Sequence, residues 1–337
     1  MALTRPSWWR TRSPAAALWW PLAGLFHLLA GMRRLAYRLG VLRQERLPVP
    51  VIVVGNIAVG GSGKTPVVIW LAAALRARGW HPGILSRGYG GSAEVPTSVD
   101  AQSDCALVGD EPVLLARRSG CPLWVGRDRV AAGRALLVTH PEVNVLITDD
   151  GLQHYRLGRN AEICVIDEAI LGNTWPLPAG PLREPMTRLA QMSLLICNGE
   201  TSPRFATRLP EVPRAAMRLA PGSFYRLHNP AETCSAQSLM GQKLCAAAGI
   251  AHPERFFATL RAMGLSLART RAFPDHHVFS AQDLVIDAGE VLLLTEKDAV
   301  KCASFAHADV WVLPVEAQID EAALEPLLER LHGPQTA

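Results

Sequence analysis

The sequence predicts an α/β protein with a mostly parallel sheet, and three observations lead to this prediction. Short apolar runs rich in Val, Ile and Leu recur along the chain, each with the length of a buried strand. Segments of helical length lie between several of these runs, an alternation that is typical of parallel sheets. A glycine-rich stretch joins the first such strand to the first such helix. Ligands of sheets of this kind bind at the carboxyl ends of the strands.

The predicted elements follow one another in a simple order. The predicted strands cover 51–54, 84–85, 123–125, 143–148, 163–166, 194–197, 244–248, 292–294 and 310–313. The predicted helices cover 64–78, 111–119, 127–140, 253–263 and 281–288. A stretch richer in Arg, Pro and polar residues at 202–242 is the expected insertion or domain junction. We therefore predict three parts: a helix within 1–44, a core over 45–210 and a smaller α/β lobe over 211–337.

Composition excludes several classes of function. A chain of 337 residues, 49% of them hydrophobic, can bury a core large enough for one main domain with an appendage. The net charge of +4 is mild, and no dense Lys/Arg run is interleaved with aromatic residues, so nucleic acid is not a predicted partner. The seven cysteines form no CxxC pair, which indicates structural thiols in a reducing cytosol.

The amino-terminal segment predicts contact with a membrane surface. Residues 15–31 are almost entirely apolar, but Pro21 and His27 interrupt the run, and it falls short of the ~20 residues that span a bilayer. Apolar residues continue to Leu39 at steps of three and four, while Arg33, Arg34 and other arginines fall elsewhere on the helical wheel. With tryptophan pairs ahead of it, this amphipathic helix suits an interfacial anchor. A helix packed on the core, a spanning helix or a secretory signal are the alternatives.

The glycine-rich stretch predicts a phosphate-binding loop (P-loop). It consists of Ala58, Val59, Gly60, Gly61, Ser62, Gly63, Lys64 and Thr65. Its glycines let backbone amides approach phosphate oxygens, Lys64 can reach the β- and γ-phosphates, and the Thr65 hydroxyl can bind Mg²⁺. Ala58 stands where the strict motif has its first glycine. The order strand, loop and helix is the context that this motif requires.

Two carboxylates follow the buried strand at 143–148. Asp149 and Asp150 lie at the carboxyl end of that strand, where carboxylates of P-loop proteins hold Mg²⁺ directly or through water. Acidic turns also end many strands, so Asp149 and Asp150 indicate a metal site only because a predicted phosphate-binding loop precedes them.

Further polar clusters fall where loops should follow strands. They contain Arg87 (86–91), Asp110 and Glu111 (109–112), Gln153 and His154, Arg183 (181–185), His276 and His277 (273–277), and the segment 295–298. A kinase needs a carboxylate or histidine near the transferred phosphate and cations around it. Asp110 could instead be a helix N-cap, and 273–277 a surface turn. The segment 295–298 could serve the nucleotide base or begin a helix.

Taken together, these motifs resemble the tetraacyldisaccharide 4'-kinases of lipid A biosynthesis. The segments that carry the resemblance are GNIAVGGSGKTP at 55–66, SRGYG at 86–90, GDEP at 109–112, DDGLQH at 149–154, LREP at 182–185, FPDHH at 273–277 and TEKDAVK at 295–301. They run in one order over roughly residues 15–315. Members of this family also tend to lack the first glycine of the loop.

The resemblance implies an enzyme at the cytoplasmic face of the inner membrane that moves the γ-phosphate of ATP to the 4'-hydroxyl of an acylated disaccharide 1-phosphate. It implies ATP and Mg²⁺, a P-loop core, and a smaller lobe that a short β linker joins to the core and that closes on ATP. Lys64, Thr65, Asp149 and Asp150 would hold phosphates and metal, and Asp110 with His276 would act as the base. Secondary contacts would come from Glu111, Arg87, Arg127, Gln153, His154 and Arg183. We expect a monomer.

Two other functions fit the same loop and strand. A P-loop ATPase switch recruited to the membrane would bind a partner protein and would not need Asp110 or His276. A soluble small-molecule kinase or ligase would remain fully active without residues 1–44. The clusters at Asp110 and His276 favour a kinase over the switch, and the tryptophan-rich amino terminus favours a lipid acceptor.

Overall fold

The computed structural model describes residues 6–302, 305 and 309–331. Its strands are β1 Val51–Gly55, β2 Pro82–Ser86, β3 Thr97–Val99, β4 Leu123–Val125, β5 Val145–Thr148, β6 Ala161–Ile166, β7 Leu194–Asn198, β8 Arg214–Pro221, β9 Phe224–Arg226, β10 Asn229–Cys234, β11 Lys243–Ala248, β12 Leu267–Ala272, β13 Glu290–Thr295, β14 Val310–Leu313 and β15 Val315–Ile319. Its α-helices are α1 Pro14–Ala17, α2 Trp20–Arg38, α3 Lys64–Ala77, α4 Cys105–Val108, α5 Asp110–Ser119, α6 Arg129–Thr139, α7 Glu168–Leu171, α8 Pro203–Ala206, α9 Ala236–Leu239, α10 Pro253–Ala262, α11 Glu296–Cys302 and α12 Glu325–Leu331. Short 3₁₀ helices cover Ser7–Trp9, Met186–Gln191, Ala281–Leu284 and Glu321–Leu324.

Two sheets organise this part of the chain. The larger has nine strands in the described residues, in the order β15-β8-β7-β6-β1-β5-β2-β4-β3, and only its edge strands β15 and β3 pair antiparallel. The smaller has six in the same described ranges, in the order β10-β9-β14-β13-β11-β12, and its strands β12, β11, β13 and β14 are parallel. The predicted α/β class with a large, mostly parallel sheet is confirmed.

Helix α3 packs the first core. It starts after Gly63, whose φ of +89° is a backbone conformation that suits glycine, and it ends before Gly79, whose φ is +82°. All five residues of β1 are buried, as a strand in the middle of a parallel sheet requires. Leu71 and Leu75 of α3 are fully buried in the same core cluster as Ile52 of β1. This packing fixes the loop between β1 and α3 on a rigid base.

Truncating a buried side chain of α3 should destabilise the fold. We expect Leu71→Ala to lower the free energy of unfolding by about 2–5 kcal/mol, because a fully buried side chain is lost and a cavity remains. Chemical denaturation followed by tryptophan fluorescence measures the change. Val138→Ala is the control, since Val138 is 84% exposed and its truncation should change stability by less than about 0.5 kcal/mol. Equal effects of the two substitutions would contradict this packing.

The division that we predicted at residue 210 differs from the distribution of strands. Strands β8 and β15 belong to the larger sheet, and they pair antiparallel from Val315↔Pro221 to Ile319↔Met217. Leu324, Leu327 and Leu331 also join the core of the larger sheet. The smaller sheet is therefore formed from strands between Phe224 and Leu313, and two crossings of the chain connect it to the larger one.

One predicted helix is wrong over most of its length. The segment 281–288 holds only a 3₁₀ turn at Ala281–Leu284, which begins at a capping box between Ser280 and Asp283. The turn stops at Val285, which is extended, and Arg271 of β12 donates hydrogen bonds to the carbonyl oxygens of Asp283 and Val285. Those carbonyls are thereby used by a neighbouring strand instead of by a continuing helix.

The amino-terminal helix α2 lies on the core through one side only. Ala23 is its only residue buried within the described chain, while Leu25, Leu28, Leu29, Met32 and Leu35 are each more than half exposed. The segment is held by contacts at its two ends, where Trp20 packs on Trp175 and Tyr37 on Tyr155. Among the described residues, no helix has both the length and the apolar character needed to cross a membrane.

Candidate active site

The loop between β1 and α3 is held in place by hydrogen bonds from its surroundings. The Asn56 side chain donates to Gly60 O and Ser62 Oγ, at 3.2 Å each, and the Asn198 side chain donates to Ser62 O at 3.0 Å. Ala58 forms a bridge with Leu182, and Val59 N donates to Pro181 O at 2.9 Å. Backbone amides beyond Gly60 thus lie in a preformed loop at the amino terminus of a 14-residue helix, an arrangement that attracts anions.

Charged side chains surround this loop. Lys64 Nζ lies 3.6 Å from Asp150 Oδ1, and Arg183 Nη1 lies 3.0 Å from Asp150 Oδ2. Burial alone would raise the pKa of Asp150, but Lys64 and Arg183 lower it below its ordinary value. Asp150 also adopts a positive φ of 49°. The three predicted residues therefore form one cluster of ion pairs beside the loop.

Asp149 has a different environment from its neighbour. It is only 2% exposed, and its Oδ1 has no hydrogen-bond partner among the described residues. Burial, followed by the charge of Glu111, raises its pKa to about 7. Arg129, also 2% exposed, donates to the Asp149 carbonyl oxygen at 3.2 Å and to Gly126 O at 2.8 Å. A buried carboxylate oxygen without a hydrogen-bond partner, close to the glycine-rich loop, is the kind of group that a cation would satisfy.

The second cluster joins the two sheets. Asp110, 6% exposed, begins α5 at the larger sheet, and His276 lies in the loop after β12 of the smaller one. His276 Nδ1 lies 3.2 Å from Asp110 Oδ2. This contact raises the pKa of His276; burial would raise the pKa of Asp110, but the hydrogen bond with His276 and then Lys297 lower it. The N-cap of α5 is Gly109, and Asp110 uses its two oxygens differently: Oδ1 accepts a hydrogen bond from Glu111 N at 2.9 Å, and Oδ2 faces His276.

Further ion pairs near the Asp110–His276 contact also connect the parts of the chain that carry the two sheets. Lys297 Nζ lies 2.9 Å from Glu111 Oε1, and Arg118 of α5 pairs with Glu296 at 2.8 Å. Arg255 at the start of α10 lies 2.6 Å from Asp167 at the end of β6. Helix α5 thus faces the residues that follow β12 and β13, and the carboxyl end of β6 faces α10, which follows β11.

The remaining predicted residues lie around these clusters. Gln153 Nε2 donates to Asn56 O at 3.3 Å, and Thr65 is the second residue of α3. His154 is partly buried, its Nε2 has no partner within the described ranges, and burial lowers its pKa to about 4. Arg87 and Arg127 are exposed on the loops that follow β2 and β4.

Sequence reasoning missed Arg129 and gave Lys297 no role. Arg129 lies at the start of α6, and its contact with Asp149 depends on the pairing of neighbouring strands. Lys297 was part of a recognised motif, but its partner Glu111 lies 186 residues away in the chain.

A family model described as tetraacyldisaccharide-1-P 4'-kinase matches residues 15–332. The chain belongs to this family. The resemblance inferred from the motifs is therefore confirmed over nearly the whole chain. Within the kinase family, a tetraacyldisaccharide 4'-kinase from Azoarcus sp. (strain BH72) is 56% identical over 98% of this chain and 96% of the relative. One from Aromatoleum aromaticum is 54% identical over the full length of both chains.

A solved structure of a family member shares the fold. The LpxK protein from Aquifex aeolicus, described as an "apo" form in complex with ATP, superposes with a TM-score of 0.80. It is 28% identical in sequence, and the match covers 94% of this chain and 99% of that one. The kinase family and its fold are thus supported by independent comparisons.

The environment of Asp149 gives this kinase a pH-dependent stability. We expect Asp149→Asn to raise the melting temperature in nucleotide- and metal-free buffer at pH 8, because the folded protein then no longer buries an unpaired charge. The folded pKa of Asp149 lies above the unfolded one, so the contribution of this residue to stability falls as pH rises from about 4 to about 7. The stabilisation should therefore shrink towards pH 4. Thermal melts at pH 4, 6 and 8 measure it, with the exposed Asp287→Asn as control; equal melting temperatures at pH 8 would contradict it.

Proposed function

We propose that this chain transfers the γ-phosphate of ATP to the 4'-hydroxyl of a tetraacyldisaccharide 1-phosphate, a step of lipid A biosynthesis. The observation that carries the proposal is the contact between Asp110 and His276, a pair that could accept the proton of a hydroxyl held near a phosphate on the glycine-rich loop. Glu111 connects the two clusters, since it follows Asp110 and its charge acts on Asp149.

The glycine-rich loop and its cations would hold the triphosphate. Backbone amides of the loop and Lys64 would bind the β- and γ-phosphates, and Arg183 would reach the transferred group once ATP draws it from Asp150. Thr65, Asp149 and Asp150 would hold Mg²⁺, which neutralises charge on the phosphates when bound. No group of three or more Cys, His, Asp or Glu side chains forms a metal cage in the described part. Two carboxylates and a hydroxyl suit Mg²⁺, which keeps several water and phosphate ligands.

The Asp110–His276 pair would supply the acid–base chemistry. The 4'-hydroxyl oxygen forms a bond to the γ-phosphorus, the bond from that phosphorus to the β,γ-bridging oxygen breaks, and ADP leaves. The hydroxyl proton passes to the pair as the new bond forms. Gln153, His154, Arg87 and Arg127 remain proposed secondary contacts around the acceptor and the phosphates.

The acceptor would enter beneath α2. A cavity of about 610 Å³ lies between α2 and the larger sheet, and its wall includes Arg34, Arg38, Tyr155, Arg159, Glu162 and Arg188. Glu184 pairs with Arg34 and accepts a hydrogen bond from Tyr155 at 2.5 Å. It directly follows Arg183, which pairs with Asp150 beside the glycine-rich loop. Glu184, which contacts two residues of the cavity wall, is therefore the chain neighbour of a residue at the proposed site of transfer. The arginines of the cavity wall suit the 1-phosphate of the acceptor.

The position of α2 supports a location at the cytoplasmic face of the inner membrane, where ATP and the lipid acceptor meet. Its exposed leucines would enter the acyl boundary, and its arginines would remain at the headgroups. We also propose that the enzyme works as a monomer, with the core and the smaller lobe closing around ATP about the β8–β15 connection.

The direct test is transfer of labelled γ-phosphate from ATP to a tetraacyldisaccharide 1-phosphate in detergent micelles with Mg²⁺. We expect label on the distal sugar of the lipid and a loss of transfer when Mg²⁺ is chelated. ATP hydrolysis without a labelled lipid would contradict the kinase and favour a membrane-recruited ATPase switch. A matched reaction with the acceptor already phosphorylated at the 4' position controls for transfer to other hydroxyls.

Membrane contact through α2 can be measured separately. The double substitution Leu28→Glu/Leu29→Glu should lower the affinity for vesicles containing anionic phospholipids at least about tenfold, because two exposed leucines that would enter the acyl boundary are lost and two charges of the same sign as the lipid are added. Vesicle co-sedimentation gives the affinity. Val95→Glu/Val138→Glu, at two exposed valines elsewhere, is the matched control. Equal loss in both variants would assign binding to net charge and not to α2.

A further inference from the structure

Lys297 occupies a position that the phosphate chemistry leaves unexplained. Its Nζ lies 3.4 Å from His276 Nε2, 3.3 Å from Asp275 Oδ1 and 2.9 Å from Glu111 Oε1. The side chain is 19% exposed and comes from the start of α11, directly after β13. It therefore contacts the imidazole on the side opposite Asp110, whose carboxylate faces Nδ1.

The chemistry of these partners fixes which nitrogen of His276 carries hydrogen. An ammonium group has three donors and no acceptor, so it can only donate to Nε2, which must then be unprotonated. The single hydrogen of a neutral imidazole must therefore be on Nδ1, where it points at Asp110. A histidine with Nε2–H would place a donor against a donor on one side and would leave Asp110 without its hydrogen bond on the other.

We propose that Lys297 is a positioning residue that selects the Nδ1–H tautomer of His276 and so directs the histidine hydrogen to Asp110. This inference rests on the proposed phosphotransfer, in which the Asp110–His276 pair accepts the proton of the acceptor hydroxyl. Lys297 contacts neither phosphate nor sugar in this assignment, and it acts only through the imidazole.

The charges around His276 determine the expected pH effect. The imidazole faces Asp110 and Asp275, which favour its protonation, and Lys297, which opposes it; Lys301 lies 4.0 Å from Asp110 Oδ2, and the Tyr89 ring packs against the imidazole. Burial would lower the pKa of Lys297, but Glu111, Asp110 and Asp275 raise it, so Lys297 stays charged over the working range. Removing its charge should therefore raise the pKa of His276 further.

The first test measures the tautomer itself and needs no lipid. Long-range ¹H–¹⁵N spectra of histidine-labelled protein distinguish Nδ1–H from Nε2–H, and His276→Gln identifies the signal among the 10 histidines. We expect Nδ1–H in the wild type and a shift towards Nε2–H in Lys297→Met. Lys297→Arg, which keeps a donor and a charge, should retain Nδ1–H. An Nδ1–H signal that persists unchanged in Lys297→Met would overturn the proposal.

The second test measures activity against pH. In Lys297→Met, the acid limb of kcat/KM should move to higher pH by about one unit, since a like charge next to the imidazole has been removed. Arg118→Met is the control, because it breaks another ion pair between α5 and α11 without touching His276. A limb that moves equally in Arg118→Met would mean that both substitutions merely loosen the interface, and it would overturn the proposal. If the wild type transfers no phosphate to lipid, the proposed function fails, while the tautomer measurement still decides the role of Lys297.

Discussion

Asp110→Asn should lower kcat for lipid phosphorylation by about 10²- to 10⁴-fold, the range that general-base catalysis contributes. The substitution keeps the size of the side chain, but an amide cannot accept the hydroxyl proton. Asp110 is buried and hydrogen-bonded to His276, so its removal also releases the histidine from its orientation. Steady-state kinetics with saturating ATP and lipid measure the loss, and KM for ATP should change little because Asp110 does not belong to the loop that would hold the phosphates.

Its control is Asp309→Asn, a substitution of the same kind at an exposed carboxylate before β14. That variant should retain wild-type kinetics. His276→Gln should resemble Asp110→Asn, and the double variant should lose little more than either single one, since the two residues act as one unit. A full additive loss, or an Asp110→Asn enzyme with wild-type kcat, would contradict a shared role in proton transfer.

Lys64→Met should lower kcat/KM by about 10²- to 10³-fold, comparable to the loss of one preorganised donor to developing charge. Lys64 is largely buried, with 14% of its side chain exposed, and its charge is close to Asp150. Its removal leaves Asp150 with Arg183 as its remaining close cation among the described residues, so Arg183 is retained by the aspartate instead of reaching the phosphate. Kinetics with ATP as the varied substrate measure the effect.

The matched control is Lys243→Met, because Lys243 is half exposed and pairs with Asp287 and Glu290 on the smaller sheet. ATP protection against thermal unfolding gives a second measurement. Lys64→Met should lose most of the stabilisation by ATP, while Lys243→Met should keep it. Undiminished protection by ATP in Lys64→Met would place the nucleotide elsewhere.

The central strands could be predicted because each is a continuous apolar run. β1, β5 and β6 are buried on both faces, so their sequences contain hardly any polar residue and stand out from the loops. The edge strands were missed for the opposite reason. β12 has the sequence LARTRA, with alternate residues exposed, and β10 is exposed at nearly every position. Their pairing depends on neighbouring strands, and a pattern within the segment itself does not indicate it.

The candidate site likewise contains residues that the sequence predicts and contacts that it does not predict. Lys64, Thr65 and Asp149 were predicted from local motifs, since a loop between a strand and a helix places them within a few residues of one another. The contacts that tune them were not predictable from spacing. Arg129 reaches Asp149 only because β4 and β5 both flank β2, and Lys297 reaches Glu111 only through the packing of α11 on α5.

The return of the chain to the larger sheet also sets the order in which the protein can assemble on the ribosome. β15 and α12 are synthesised after the whole smaller sheet, yet Leu327 and Leu331 fill the same core as Val67 of α3. The amino-terminal half therefore emerges with a sheet edge and an apolar surface that stay open while roughly a hundred further residues are made. An unpaired edge of this kind invites association between nascent chains. A premature stop near residue 314 would leave that exposure permanent, and we expect such a product to aggregate even though its catalytic residues are all present.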